Sequence, residues 1–223
     1  MTASEGLSAD EVLELLGELG RRLEAMGQTA EIYLAGGAAM QLRYGRRTLT
    51  RDVDVAAIGP VVAGEARRIA TERGLDRDWL SAGMAAWAPS PDDGDELRRL
   101  GGLVVRIAGP RPMLAMKLAA ARGRDVEDIR RLCDVLGITT ADDAVRVAID
   151  VYGDDSVALG DIEDLTKFVR GVLDTAVSGE PLPDATAHAG SRCGKVVSST
   201  EMPCRLSRWH AGRCRSRAAR VAD

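Results

Sequence analysis

Two acidic residues inside a run that otherwise reads as a β-strand, Thr50-Arg51-Asp52-Val53-Asp54-Val55, constrain this chain more than any other feature. Asp is a poor strand former, so a pair among Val53, Val55 and Ile58 costs stability and needs a reason. Residues two apart on a strand share one face of the sheet, so both carboxylates look the same way and can hold a magnesium ion together. The plainer alternative is the polar face of an edge strand. Upstream stands Ala35-Gly36-Gly37-Ala38-Ala39-Met40, directly behind the apolar run Glu31-Ile32-Tyr33-Leu34-Ala35. Glycines at a strand-to-helix turn leave backbone N–H groups exposed to phosphate. They also serve any tight turn that needs positive φ or close packing. Only a short helix separates this turn from the acidic strand, so the two strands can be neighbours. A phosphate cradle beside a divalent-cation site is the apparatus of phosphoryl and nucleotidyl transfer.

The surrounding pattern predicts a mixed α+β protein. Ser8 and Glu11 form a capping box ahead of a helix that runs to about Met26 and is stopped by Gly27. The glycine turn leads into a short helix closed by Gly45, and Asp52 to Ile58 reads as the next strand, stopped by Gly59-Pro60. Val61 to Arg73 reads as a helix and 75–87 is ambiguous, with a strand around Asp78-Trp79-Leu80. Pro89 to Asp95 reads as a loop, and Leu103 to Ala108 as a strand. Helices follow from Pro112, from Asp125 to Leu136, from Thr140 or Ala141 to Tyr152, and from Asp161 to Ala176. The expected organisation is an N-terminal helix over 1–29, a core with a small mixed sheet over 30–138, C-terminal helices over 139–177, and a basic, disordered tail over 178–223.

The chain has 223 residues and a formal net charge of −4, but the last segment is basic. Arg192, Lys195, Arg205, Arg208, Arg213, Arg215, Arg217 and Arg220 face only Glu201 and Asp223 there. Such a tail is either a nucleic-acid arm or an extension that docks nowhere. Its His188, Cys193, Cys204, His210 and Cys214 have the chemistry of zinc ligands, yet their spacing matches no finger, ribbon or knuckle. Trp209 could stack on a base there. The polar, acidic start lacks a secretion signal, and Met113 to Ala121 is too short and too interrupted by Lys117 to span a bilayer. A cytoplasmic protein with no membrane partner is expected.

Lys117 sits in the nearly apolar Met113-Leu114-Ala115-Met116-Lys117-Leu118-Ala119-Ala120-Ala121. It either snorkels from a helix edge or points inward at a triphosphate. Asp125 reads as a helix cap and Asp128 as a residue facing water, because acids at a helix start need no function.

These blocks resemble the AbiEii/MenT-type nucleotidyltransferases of the DNA polymerase β-like superfamily. The resemblance is carried by Ala35-Gly36-Gly37-Ala38-Ala39-Met40, by Arg46-Arg47-Thr48-Leu49-Thr50-Arg51-Asp52-Val53-Asp54, by Pro112 to Ala120, and by Arg122-Gly123-Arg124-Asp125-Val126-Glu127-Asp128-Ile129. It covers about Ile32 to Leu136. Many members are toxins of toxin–antitoxin pairs, and some add nucleotides to the 3′ end of tRNA. The resemblance implies that Gly36 and Gly37 hold phosphates, Asp52 and Asp54 bind Mg²⁺, Lys117 meets the triphosphate, and Arg47 assists in binding it. Asp128, or else Asp125, matches the late aspartate that orients the lysine or assists the incoming hydroxyl. The implied partners are an NTP, tRNA and a cognate antitoxin. Arg46 and Arg47 are close enough to substitute for each other in the role implied for Arg47. Three departures stand out. Ala38 replaces the serine common after the turn, Thr48 stands where an Arg belongs, and Leu103 to Ala108 offers Arg106 where many relatives carry a third carboxylate. Two other readings follow: transfer to a small molecule or protein, and a catalytically silent RNA- or partner-binding protein on the same fold.

Overall fold

A computed structural model of the chain describes residues 6–153 and 156–174 together with one short strand pair further on. The fold is mixed α+β. Helix α1 (Ala9–Ala25) opens with the expected capping box: the Ser8 side chain accepts from the Glu11 amide, and Glu11 accepts from the Ser8 amide at 2.8 Å. Its Val12, Leu15, Leu16, Leu19 and Leu23 are buried. Strand β1 (Ala30–Leu34) runs straight into α2 (Gly36–Tyr44), which Gly45 closes in the left-handed conformation. β2 (Val53–Asp54), α3 (Pro60–Arg73) and β3 (Leu80–Ser81) follow, then the hairpin of β4 (Glu96–Leu100) and β5 (Leu103–Ile107). The C-terminal half comprises α4 (Pro110–Ala120), a 3-10 turn (Gly123–Asp125), α5 (Val126–Leu136), α6 (Ala141–Tyr152) and α7 (Ile162–Asp174).

β1 pairs with β5 in parallel and β5 with β4 antiparallel, giving the order β1-β5-β4. β2 and β3 form a parallel pair of their own. An antiparallel bridge between Leu34 and Val55 joins β2 to the end of β1, with Ala56 N–H donating to Tyr33 O at 3.0 Å and Ala35 N–H to Asp54 O at 3.2 Å. Asp54 is thereby stitched to the glycine turn through backbone. Ile32, Leu34, Val53, Val55, Val105 and Ile107 are buried on one sheet face. In-register partners share a face, so Asp54, Ser81, Tyr33, Arg106 and Leu97 stand on the opposite one.

Some elements differ from expectation. The strand expected over Asp52 to Ile58 is a ladder of Val53–Asp54 plus one bridge at Val55. The strand expected around Asp78-Trp79-Leu80 is the two-residue β3, Leu80–Ser81, with the preceding Trp79 carbonyl accepting from Val53 N–H at 2.6 Å. β4 was not expected at all. Glu96-Leu97-Arg98-Arg99-Leu100 lacks β-branched residues, and its pairing with β5 across Gly101-Gly102 makes it a strand. Among the described residues no helix is long and apolar enough to cross a membrane. The tail expected over 178–223 lies outside the described residues except for β6 (Val196–Val197) paired with β7 (Met202–Pro203).

Candidate functional site

The glycine turn lies flat against the acidic strand. Gly36 has φ +66°, and a β-carbon there would stand 3.1 Å from Asp54 Oδ2. A β-carbon on Gly37 would stand 2.5 Å from Thr50 Oγ1. Both positions therefore need glycine, the first for conformation and both for close approach. Thr50 Oγ1 in turn donates to the Asp52 carbonyl at 3.0 Å, and Ser81 Oγ donates to Asp54 Oδ1 at 3.2 Å. No side chain caps the N-terminus of α2. The first N–H groups of a helix have no partner within it, and the dipole there favours an anion. Burial pushes the Asp52 carboxyl above its usual range, and the neighbouring Asp54 charge pushes the same way. Arg124 and Arg51 oppose both.

Lys117 points inward. It is 8% exposed, and its Nζ lies 2.5 Å from Asp125 Oδ1 and 2.8 Å from Asp128 Oδ2. Arg46 Nη1 also donates to Asp128 Oδ2, at 3.1 Å. The snorkelling alternative for Lys117 is thus overturned, as is the reading of Asp128 as a water-facing residue, whereas Asp125 does stand at the N-cap position of α5. Both carboxylates are buried, and the Asp125 side chain makes no cap hydrogen bond to α5 but accepts from Lys117 instead. The chain makes this cluster by reversing direction at Ala121, whose φ of +41° is the one positive value outside glycine among the described residues. The reversal folds the Gly123–Asp125 turn back over the last turn of α4.

Arg46 joins the two halves of the site. Its Nη1 lies 3.7 Å from where a Gly37 β-carbon would be, and the same nitrogen holds Asp128. The Arg131 guanidinium of α5 donates to Tyr44 O at 2.7 Å, tying the end of α2 to the same helix. Gly36, Gly37, Asp52 and Asp54 are therefore in direct contact or close electrostatic range, and Lys117 and Asp128 reach them through Arg46. Arg47, the residue matched by resemblance, is exposed, whereas Arg46 turns into the cluster.

Among the described residues no three His, Cys, Asp or Glu side chains are arranged to hold a metal ion. Two carboxylates nonetheless suit Mg²⁺, which binds through one or two of them and completes its shell with water and substrate phosphates. Arg106, at the position of the missing carboxylate, is occupied by Glu31 at 2.7 Å. Ser81, which holds Asp54, has no sequence signal; its place follows only from the β2–β3 pairing. Comparison with protein-family models, curated proteins and solved structures finds no match to this chain.

Proposed function

We propose that the protein is a Mg²⁺-dependent nucleotidyltransferase of the polymerase β-like, AbiEii/MenT type, a toxin that transfers a nucleotide from an NTP to the 3′ end of tRNA. The observation that carries this reading is the contact of Gly36 with Asp54 beside a buried Lys117–Asp125–Asp128 charge cluster that half-buried Arg46 joins. Buried ion clusters are weak contributors to stability, so four charged side chains here suit a site better than a core.

In this reading the α2 N-terminus and Gly36-Gly37 receive the phosphates. Asp52 and Asp54 hold the ion, which would supply charge neutralisation on the phosphoryl oxygens. Their mutual repulsion favours a cation between them. Lys117 is held in place by Asp125 and Asp128 until a polyphosphate competes for its ammonium. Arg46 keeps Asp128 paired when that happens. The acceptor hydroxyl attacks the α-phosphorus in line and pyrophosphate leaves. The chain contributes positioning and charge compensation.

The absence of a third carboxylate at the Asp pair among the described residues favours a second reading, a silent RNA- or partner-binding protein. Incubation with α-labelled NTPs, Mg²⁺ and total RNA separates the two. Transfer by the wild type that is lost in Asp54→Ala supports the enzyme. Label on a small molecule or protein moves the acceptor, and no transfer at all supports the silent protein.

A further inference from the structure

The open sheet face that carries Asp54 extends to an aromatic rim. Beyond Ser81 the chain makes two successive tight turns, with Ala85 N–H donating to Ala82 O at 3.0 Å and Trp87 N–H to Met84 O at 2.9 Å. The strap starts beside the carboxylate: a β-carbon on Gly83 would lie 3.4 Å from Asp54 Oδ1. Met84 is buried and pins its middle. At its far end Tyr152 Oη, at the end of α6, donates to Trp87 O at 2.7 Å. Burial pushes the Tyr152 phenol up to about 12, so it remains a neutral donor at neutral pH. The strap is thus braced at both ends while the Trp87 residue is 56% exposed.

Trp87 lies four residues along the chain from Gly83, a span of at most about 14 Å when extended and less across two turns. That bound keeps Trp87 within the length scale of one nucleotide from the start of the strap at Asp54. Beneath the rim Tyr33 lies in electrostatic range of Tyr152 and Arg106, and its hydroxyl is buried with no hydrogen-bond partner, which a protein rarely leaves so. Exposed Leu97 lies on the same face. An exposed indole on a strap whose backbone is braced at Trp87 and which starts beside Asp54 suits the flat face of a nucleobase, since stacking asks only for a π-face.

We propose that Trp87 is the stacking platform for the base of the nucleoside triphosphate whose phosphates lie at Gly36-Gly37. The inference rests on the nucleotidyltransferase reading. The braces fix the strap's backbone before the nucleotide arrives, and stacking leaves all four bases acceptable.

The test is calorimetric titration of the full chain with Mg²⁺ and non-hydrolysable NTP analogues, and separately with inorganic tripolyphosphate. Trp87→Ala is expected to weaken the analogues roughly 5- to 150-fold and to leave tripolyphosphate unchanged, with Trp87→Phe restoring most of the loss. Equal analogue affinity in wild type and Trp87→Ala overturns the platform while the phosphate site stands. An unchanged analogue affinity with weakened binding of a short single-stranded RNA gives Trp87 to the acceptor and also overturns it. Binding of neither analogue nor tripolyphosphate by wild type removes the underlying reading as well.

Discussion

Gly36 lies so close to Asp54 that a β-carbon at position 36 would stand 3.1 Å from Asp54 Oδ2, with the residue at φ +66°. This contact joins the turn to the acidic strand. A side chain in the left-handed region costs about 1–2 kcal/mol. Gly36→Ala is expected to lose that much in chemical denaturation and to displace the Asp54 carboxylate. Gly27 has nearly the same φ, +64°, with nothing within 4 Å of a β-carbon. Gly27→Ala should therefore show a similar backbone cost with no effect on Mg²⁺-NTP binding. Equal ligand effects of the two variants would separate the turn from the site.

Binding of Mg²⁺-NTP to the folded state alone should raise Tm, by about 2.7 kcal/mol of stability at a hundredfold excess over Kd. Asp54→Asn and Asp52→Asn should abolish the rise, because they remove the charge at the pair that would hold the ion. Thermal scans with and without Mg²⁺ measure this; a rise that persists in both variants places the ligand elsewhere.

Lys117→Met strands Asp125 and leaves Asp128 with Arg46 alone, and breaking a buried pair costs roughly 3–5 kcal/mol. Lys117→Met/Asp125→Leu should recover much of that, because apolar replacement of a buried pair is often neutral. Denaturant midpoints report the recovery. The double variant should fold and still transfer no nucleotide. A double variant that is both stable and active makes the cluster a structural feature only.

Asp95 gives the fold a pH dependence away from the acidic pair. Burial raises its carboxyl from 3.8 to about 6, with the Asp92 charge adding to the shift and the Gly109 amide, donating to Oδ1 at 2.7 Å, opposing it. The raised group binds its proton more tightly in the folded state, so its contribution is complete below the unfolded pKa and is lost as pH rises through about 6. Relative to Asp95→Asn, the wild type should lose up to about 3 kcal/mol between about pH 4 and pH 7. Urea midpoints of the two proteins across that window check the sign.

Local chemistry made much of the fold legible. The Ser8–Glu11 capping box, the β1 run before Gly36, and Gly45 and Gly137 as helix stops all depend on neighbours in sequence. β4 was hidden because Glu96-Leu97-Arg98-Arg99-Leu100 becomes a strand only through its pairing with β5. At the site, the glycine pair and the two aspartates stood out as residue types at a meaningful spacing. Apart from the resemblance, the work of Asp125 and Asp128 did not, because acids at a helix start serve the dipole equally well, and only the reversal at Ala121 turns them onto Lys117. Arg46 rather than its neighbour Arg47 bridges the halves, a distinction set by which guanidinium faces α5.

The most direct measurement is a crystal structure with Mg²⁺ and a non-hydrolysable NTP. It is expected to show the ion between the Asp52 and Asp54 carboxylates, the triphosphate along the amides of Gly36 and Gly37, and the Lys117 ammonium drawn from Asp125 or Asp128 toward a phosphate oxygen. An ion and triphosphate bound away from Asp54, or a Lys117 cluster untouched by a nucleotide seated on the glycine turn, would contradict the account.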